Sequence, residues 1–495
     1  MLDQSFSYEN FRIILDVENR KGNYLEDASF FDGDDLFLSS REISKGIIEV
    51  NALIKAERVA LKLIEEKVES DYEQYNRLMA FKEELKIKRE KRLEETLTAL
   101  SNLTNASDYA INLQKGQIKH GSQLYTHENR AQDYFVLKQL QRNIYKTFKV
   151  KQADRKAIVS QLKLLLNDGF PKVIIRTDIK SFYESIEHSR LLSRIEENSL
   201  LSFPSKKIIK DILNQYWKML VKDGTKTAGD TRMGVPRGFG ISAYLSELYM
   251  RELDRKISRI PNVSYYARYV DDIFIIITPS SRSEPMTARQ YKALVSSMIF
   301  ETTNLEINAD KTSVVDLRKE NSERSASHTY SLTYLGYKFL LRYKYNRVRG
   351  MTERLPLQTL MSDRKLSKYK SKIISAFDDY LAGAGKFPGA ETKVNRLLLQ
   401  RIKFLSNNFQ LVRRKSNVFI GIYFSNEFIS ELTDLTELDD LLAMQIDRIS
   451  KPGNLYLTAK LAEISFVERF SNKRFMKFNF SSFRNNKVLG LWKNL

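Results

Sequence analysis

The sequence predicts a mixed α+β fold, because three parts of the chain have different hydrophobic patterns. From Arg41 to about Thr104, apolar residues recur every three or four positions with one glycine and no proline, which is typical of long amphipathic helices. From about residue 110 to 345, short apolar runs typical of strands alternate with helical patterns. After residue 358 the pattern is mostly helical again, with one strand-like run, "NVFIGIYF".

Length and charge limit the functions that the chain can serve. At 495 residues it is too long for one core, so several domains are expected. It carries 81 basic and 61 acidic side chains, a formal charge of +20. Such an excess predicts a polyanionic partner, with nucleic acid ahead of a membrane surface.

Composition excludes several kinds of site. The chain has no cysteine, which excludes disulfides and thiolate metal sites, and its four histidines disfavour an imidazole zinc site. The acidic stretch "FFDGDD" does not continue the oxygen spacing of a calcium loop and is predicted to be a solvated turn. The opening residues do not resemble a signal peptide, and the apolar runs are too short to span a bilayer. We therefore expect a soluble, cytoplasmic protein with no membrane partner.

Two adjacent carboxylates lie where a tight turn is predicted. Asp271 and Asp272 separate two apolar runs, residues 265–270 and 273–277, which predict a β-hairpin. Asp178 follows another short apolar strand, residues 173–175. If these strands are neighbours in one sheet, the three carboxylates converge at its edge.

Three convergent carboxylates repel one another unless cations lie between them. Two Mg²⁺ ions about 3.5 to 4 Å apart would remove the repulsion and could activate a 3′-hydroxyl while stabilising a leaving pyrophosphate. The alternative is ordinary turn chemistry, the commoner role of an Asp-Asp pair. The apolar strands on both sides favour the metal hypothesis here.

Five segments resemble, in order, the motifs of reverse transcriptases. They are "RTDIKSFYESIEH", the first palm motif; "MGVPRGFGISAYLSELYM", the G-x-P-x-G…S motif; "RYVDDI", the Y-x-D-D signature; "LEINADKTSVV", the N-x-x-K-T motif; and "LTYLGYKF", the primer-grip hairpin. The resemblance implies an α+β right-hand polymerase with a ferredoxin-like palm, fingers, and helical N- and C-terminal regions. It implies four domains: a helical extension (1–110), fingers (111–175), a palm (176–350, with a fingers insertion at about 195–230) and a helical thumb or C-terminal domain (351–495).

The same resemblance assigns the catalytic residues. Asp178, Asp271 and Asp272 would hold two Mg²⁺ ions, or Mn²⁺ in their place, with the backbone carbonyl of Ile179 as a further ligand. Lys311 would protonate or neutralise the departing pyrophosphate, although a lone lysine after a turn is more often only solvated.

Nucleotide contacts are implied for a second group of residues. Tyr183 would lie against the sugar of the incoming nucleotide and exclude a 2′-hydroxyl. The other nucleotide-binding residues implied are Arg155, Lys156, Gly234, Pro236, Arg237, Gly238 and Ser242, and the primer grip would be Leu335, Gly336 and Tyr337. The family commonly has glutamine where this chain has Arg237, so a contact to phosphate is the alternative to a template-base contact there.

In organisation the chain resembles the bacterial defence-associated reverse transcriptases of the Abi and unknown-group class. It lacks the cysteine and histidine clusters of intron maturases and the N-A-x-x-H and V-T-G elements of retron enzymes. The resemblance implies an RNA-directed DNA polymerase that joins dNTPs to a 3′-hydroxyl or a protein primer. It further implies anti-phage defence, a non-coding RNA as template, a DNA product, and a second reverse transcriptase subunit or another copy of the chain as partner.

Two other functions remain open on sequence alone. RNA-dependent RNA polymerases share the palm, but they more often carry G-D-D and a smaller polar residue at the position of Tyr183. A non-catalytic RNA-binding scaffold would tolerate loss of an acid, yet all three are present. The aromatic and basic tail from Arg469 to Lys493 fits either single-stranded nucleic acid binding or docking on the thumb.

Overall fold

The computed structural model describes most of the chain. The described residues are 2–27, 30–31, 36–65, 68–119, 121–197, 200–279, 286–318, 327–383, 391–413, 416–450, 454–478 and 483–492. The acidic turn predicted at residues 32–35 lies outside them. Within these ranges, no helix combines the length and the hydropathy that crossing a bilayer requires.

Helices and strands alternate along much of the chain, which gives it a mixed α+β fold. The helices are α1 (Tyr8–Arg20), α2 (Leu38–Lys62), α3 (Glu73–Asn105), α4 (Ala131–Phe148), α5 (Arg155–Leu165), α6 (Phe182–Ser185), α7 (His188–Glu196), α8 (Phe203–Lys222), α9 (Ser242–Ser258), α10 (Ala288–Thr303), α11 (Asp363–Gly383), α12 (Glu391–Ser406), α13 (Thr433–Arg448), α14 (Leu455–Ala462), α15 (Phe466–Ser471) and α16 (Phe483–Gly490). The strands are β1 (Leu113–Lys119), β2 (Ser122–His127), β3 (Val173–Asp178), β4 (Val263–Tyr269), β5 (Asp272–Ile277), β6 (Ser313–Asp316), β7 (His328–Tyr334), β8 (Tyr337–Asn346), β9 (Met351–Arg354), β10 (Gln358–Met361), β11 (Asn408–Arg413) and β12 (Ser416–Gly421). Short 3₁₀ helices span Glu69–Tyr72 and Ala309–Lys311.

The chain forms two compact units, each assembled from separate stretches. The first unit comprises Met1–Gln152, Ile179–Lys256 and Ser296–Ile307, and the second comprises Ala153–Asp178, Ile257–Val295 and Asn308–Leu495. The division into four domains that the sequence suggested stays a prediction.

The long helices predicted between residues 41 and 104 are present in the first unit as α2 and α3, which pack against each other. Leu93, Leu97 and Leu100 on α3 are fully buried, at the spacing of one helix face. Most of the remaining positions of both helices are exposed, and many of them are charged.

A four-stranded antiparallel sheet in the second unit carries the predicted carboxylates. Its strand order is β4-β5-β3-β6, so the first strand in the sequence lies in the middle, next to the third. This order, with helices between the first and second and between the third and fourth strands, is ferredoxin-like, as predicted. The central strands are apolar because they are buried: residues 173–175 and 273–277 are at most 1% exposed.

The rest of the second unit combines a second sheet with helices. Strand β8 pairs with β7, β9 and β10. The expectation of helix on both sides of "NVFIGIYF" missed one strand, because β11 continues directly from α12 and pairs with β12 as a hairpin. Phe470 and Trp492 of the aromatic tail are buried in this unit's core, which favours docking over nucleic acid binding for these two residues.

A buried acid ties α1 to α4 within the first unit. The Glu18 carboxylate accepts hydrogen bonds from Asn23 Nδ2 at 2.7 Å, Tyr134 Oη at 2.9 Å, Lys21 Nζ at 2.9 Å and Lys138 Nζ at 3.2 Å. Burial alone would raise the pKa of Glu18, but these donors outweigh it and lower the pKa to about 2. The charged form of Glu18 is therefore the one that stabilises the fold.

We predict that Glu18→Gln lowers the free energy of unfolding at pH 7 by about 2 kcal/mol, because hydrogen bonds to a buried charge are lost. The pKa of Glu18 is lower in the folded chain than in the unfolded one, so its contribution is complete above pH 4.5 and is lost as pH falls toward 2. Thermal unfolding of both proteins at pH 7 and pH 3 should show the difference shrinking at the lower pH. The exposed Glu49→Gln on α2 is the control, and an equal difference at both pH values would contradict the assignment.

Candidate active site

The register of the sheet brings two of the predicted carboxylates together. β3 ends at Asp178 and β5 begins at Asp272, and these two residues are direct partners across the antiparallel pair. Asp271 lies in the turn between β4 and β5, immediately before Asp272. All three residues therefore belong to one end of the β3–β5 pair, in the second unit.

The hairpin turn has an unusual backbone. Val270, which precedes the doublet, has φ +62°, a left-handed conformation that is costly for a β-branched residue. Its carbonyl accepts a hydrogen bond of 2.9 Å from Nη1 of Arg268, which is buried. The buried Arg268 side chain thus holds the strained turn at Val270. The turn in turn fixes the position of Asp271 and Asp272.

Two cations accompany the carboxylates. Lys311 Nζ lies 2.7 Å from Asp178 Oδ2, and Arg176 Nη2 lies 3.0 Å from Asp272 Oδ1. Asp178 is buried, whereas the Lys311 side chain is largely exposed. Lys311 thus lies beside Asp178, and the catalytic roles of both residues stay predictions.

Burial and mutual repulsion change the acidity of these groups. Burial raises the pKa of Asp271 to about 6, and the negative charges of Asp178 and Asp272 contribute to the rise. Burial also raises the pKa of Asp272, with Arg176 acting in the opposite direction. The hydrogen bond to Asp178 raises the pKa of the Lys311 amine. The carboxylates therefore lie close enough to destabilise one another's charge.

Carboxylate oxygens are the ligands that Mg²⁺ and Mn²⁺ prefer, so the donor type of this cluster fits the predicted metals. Across the described ranges, however, no three His, Asp or Glu side chains are already arranged to hold a metal ion. Lys311 and Arg176 hold two of the three carboxylates instead. Metal binding would have to draw these carboxylates away from their present partners.

Two residues that the sequence interpretation did not single out support the cluster. Arg176 is in β3, two positions before Asp178, which places both on one face of the strand. The buried Tyr334 hydroxyl donates to the backbone carbonyl of Asp272 at 3.0 Å, and its ring packs on Phe274 at 5.1 Å. The alternation within "RTD" was a signal for Arg176, whereas the Tyr334 contact joins positions 62 residues apart and left no local signal.

Ile179, the further metal ligand implied by the resemblance, lies at the start of the first unit's second stretch. It is buried and forms an isolated antiparallel bridge with Ile307. Its role as a ligand stays a prediction.

Tyr183 lies on the short helix α6 in the first unit, next to the buried Phe182. The guanidinium of Arg237 lies over the Tyr183 ring, 5.3 Å from its centroid. Arg237 also makes two hydrogen bonds of 3.0 Å to the carboxylate of Glu184. The arginine that replaces the family's glutamine is therefore engaged with the residue predicted to select the sugar.

The loop that contains the other predicted nucleotide contacts is held by buried hydrogen bonds. Ser242 Oγ donates to the carbonyl of Pro236 at 2.7 Å, and His188 Nε2 donates to the carbonyl of Gly234 at 2.7 Å. Gly234 has φ +94°, and a Cβ there would lie 2.7 Å from Cε1 of Tyr216. Gly238 also has a positive φ, of +83°. Nucleotide binding by Gly234, Pro236, Gly238 and Ser242 stays a prediction, and His188 is a supporting residue that the sequence interpretation missed.

The predicted primer grip forms the turn between β7 and β8 in the second unit. Leu335 and Gly336 have φ of +45° and +77°, and Tyr337 is the buried first residue of β8. Arg155 Nη2 donates to the carbonyl of Leu335 at 2.6 Å. Lys156 forms an ion pair with Glu427 at 2.7 Å. These contacts leave the predicted roles of Arg155 and Lys156 toward a triphosphate untested.

We predict that Asp271→Asn raises the thermal unfolding midpoint at pH 7.5 by about 2 °C or more, because it removes one of three crowded negative charges. Millimolar magnesium should raise the midpoint of the unmodified protein more than that of the variant. Asp310→Asn, an exposed aspartate beside Lys311, should change neither value. A lower midpoint for Asp271→Asn without magnesium would contradict the repulsion described above.

Comparison with protein-family models finds one match, which spans the strands that carry the carboxylates. The family model described as reverse transcriptase (RNA-dependent DNA polymerase) matches residues 123–339. That range includes Asp178, Asp271, Asp272 and Lys311. A comparison with curated proteins finds no match.

Among solved structures, the chain is similar to two yeast telomerases. Telomerase from Candida albicans in complex with a TWJ fragment of telomeric RNA has 13% identity and a TM-score of 0.27, over 71% of this chain and 55% of that one. Apo telomerase from Candida tropicalis has 13% identity and a TM-score of 0.32, over 74% of this chain and 62% of that one. This chain thus spans less than two thirds of either telomerase chain. On the family match, the chain contains a reverse transcriptase domain over residues 123–339, with the α+β right-hand polymerase fold that the sequence predicts.

Proposed function

We propose that this protein is an RNA-directed DNA polymerase that joins dNTPs to a 3′-hydroxyl or to a protein primer. The observation that carries the proposal is the pairing of Asp178 with Asp272 across β3 and β5, with Asp271 in the adjoining turn. Three acids drawn from separate parts of the sequence are thereby placed at one sheet end, where their charges repel. Nucleotidyl transfer is one of the reactions that a cluster of carboxylates holding two metal ions serves.

Mg²⁺ ions held by Asp178, Asp271 and Asp272 would, when bound, supply the positive charge that activates the attacking hydroxyl and stabilises the leaving pyrophosphate. Lys311 Nζ carries a proton at neutral pH, and its hydrogen bond to Asp178 keeps it charged beside the acids. It would deliver that proton, or its charge, to the pyrophosphate. Arg176 and the Tyr334 hydroxyl orient Asp272 through its carboxylate and its backbone carbonyl.

Selection of dNTPs over NTPs is assigned to Tyr183. In this proposal the ring occupies the space that a 2′-hydroxyl would need, and Arg237, paired with Glu184, keeps the ring in place. An aromatic ring held under a guanidinium has less freedom to rotate away than a solvated one. The Arg237–Glu184 pair thus gives a physical purpose to the departure from the family's glutamine.

The biological setting is proposed on the resemblance to bacterial defence-associated enzymes and on charge. A formal charge of +20 supports binding of nucleic acid, with affinity that falls steeply as salt rises, and the resemblance supports a structured non-coding RNA as the template. The enzyme would act in the cytoplasm in anti-phage defence, alone or with a second reverse transcriptase subunit or another copy of the chain. Sequencing the RNA that co-purifies with the protein, together with the DNA made from it, tests this setting.

We predict that Asp271→Asn with Asp272→Asn reduces incorporation of labelled dNTPs by roughly three orders of magnitude, because the metal ligands are lost. Binding of RNA, measured by filter retention at one salt concentration, should change by less than about twofold, since no basic residue is removed. Asp310→Asn serves as the matched control for both measurements. Retained synthesis in the double variant would contradict the assignment of Asp271 and Asp272 as metal ligands.

We predict that Arg237→Gln lowers the preference for dNTP over NTP by about tenfold, because Tyr183 loses the group packed on its ring. Single-nucleotide incorporation with each dNTP and its matching NTP gives this ratio directly. Arg232→Gln removes an exposed arginine of the same unit and should leave the ratio unchanged. The role of Arg237 is excluded if its variant has the same ratio as the unmodified protein.

A further inference from the structure

The second unit contains a cavity of about 410 Å³, and its wall includes Arg155, Lys156 and Tyr337, which the resemblance assigned to nucleotide and primer binding. It lies among the first turn of α5, one face of α11, the start of β8 and the segment 419–428. None of the three aspartates lines it. Its volume is within the range of sites that hold one small ligand, about 300 to 1,000 Å³.

The cavity wall is strongly cationic. Among the described residues that line it, Glu427 is the only acid, and it already pairs with Lys156 at 2.7 Å. Four further cations have no carboxylate partner in the part of the chain that the structure describes: Arg155, Lys365, Lys368 and Lys372. The wall therefore carries about four positive charges that a bound anion could neutralise.

Burial and repulsion between neighbouring cations lower the pKa of two of these lysines. Burial lowers the pKa of the Lys365 amine to about 8, and the positive charge of Arg155 adds to the decrease. Burial also lowers the pKa of Lys372, and Lys368 contributes in the same direction. A polyanion would remove this repulsion.

Aromatic rings form the other part of the wall. Phe419 and Phe424 stack with centroids 5.2 Å apart and planes at 25°, and Phe419 is 42% exposed. The Tyr337 ring packs edge-on against Phe428, with the ring centroids 5.7 Å apart. The Lys365 amine lies 4.9 Å from the centroid of the Tyr337 ring. Exposed aromatic faces beside cations are the surface on which a nucleobase stacks while its phosphates pair.

We propose that this cavity binds the di- or triphosphate of a nucleotide, with the phosphates at the α11 lysines and Arg155 and the base on Phe419 and Phe424. The ligand is either a free nucleotide or the 5′-triphosphate end of an RNA, which present the same chemistry. The site is separate from that of the incoming nucleotide, because it contains none of the acids that would hold the catalytic metals. It places Arg155, expected from the resemblance to hold the incoming triphosphate, in a second phosphate site.

The test measures binding without synthesis, so that it stands apart from the proposed polymerase activity. Labelled ATP is bound to the full chain by equilibrium dialysis in EDTA, without template or magnesium. The variants are Lys368→Gln with Lys372→Gln in the cavity, Lys370→Gln as control, and Asp271→Asn with Asp272→Asn. Lys370 is on the same helix but pairs with Glu437 at 2.6 Å and does not line the cavity.

We expect the cavity variant to raise the dissociation constant for ATP at least about tenfold, and the control and the aspartate variant to leave it within about twofold. A short RNA with a 5′-triphosphate and the same RNA with a 5′-hydroxyl are then compared as competitors of labelled ATP. Stronger competition by the triphosphate RNA identifies an RNA end as the ligand, and no competition by either RNA identifies the free nucleotide. Either result supports the site.

The proposal is overturned if ATP and the triphosphate RNA both fail to bind, or if the lysine variant binds ATP like the unmodified protein. Loss of binding in the aspartate variant would also overturn it, because the nucleotide would then be at the polymerase site. Circular dichroism checks that the lysine variant is folded. If that variant unfolds, Phe419→Leu takes its place, with the same expected direction and a smaller change.

Discussion

The site depends on one constraint, the hydrogen-bonded register between β3 and β5. Because side chains alternate along a strand, a slip of one residue would turn Asp178 to the opposite face and remove it from Asp272. Apolar residues that are buried on both faces hold the two strands inside the fold, and the backbone pairing of Val173 with Ile277 through Asp178 with Asp272 sets the register. The relative placement of Asp178 and Asp272 is thus set by the pairing of β3 with β5.

The same packing brings three carboxylates close together in a buried place, where their negative charges repel one another. Burial at the sheet end raises the pKa of Asp271, and the neighbouring carboxylates raise it further. Lys311 and Arg176 relieve part of this repulsion by pairing with Asp178 and Asp272. Their contacts keep the acids in place without metal, and the Lys311 contact is weak enough to be exchanged because this side chain is largely exposed to solvent.

Local patterns were sufficient for part of this arrangement. The hairpin around Asp271, the strand before Asp178 and the helices between residues 41 and 104 follow from periodicity and turn position, and they are present. The ferredoxin-like order and the roles of Tyr183 and Lys311 came from resemblance to a family, since periodicity does not say which strands are neighbours. β11 was missed because its apolar and polar residues continue the pattern of α12 without a breaker.

Contacts between distant positions could not be read from local patterns. Arg155 bonds the carbonyl of Leu335, 180 residues away, and Tyr334 bonds the carbonyl of Asp272. The pairing of Arg237 with Glu184 depends on how a glycine loop folds back toward α6. The cationic cavity was even less predictable from local patterns. Its wall is built from segments around residues 155, 337, 365 and 424, and none of these segments is distinctive in the sequence by itself.

The most direct test of the central claim is template-directed extension by the purified protein. A DNA primer annealed to a defined RNA template is incubated with magnesium and each of the four dNTPs, or each NTP, singly. A reverse transcriptase site built on these carboxylates should add only the dNTP that pairs with the next RNA base, and should stop when magnesium is chelated. Addition of every nucleotide regardless of the RNA, or equal use of NTPs, would contradict RNA-directed DNA synthesis as the activity of this site.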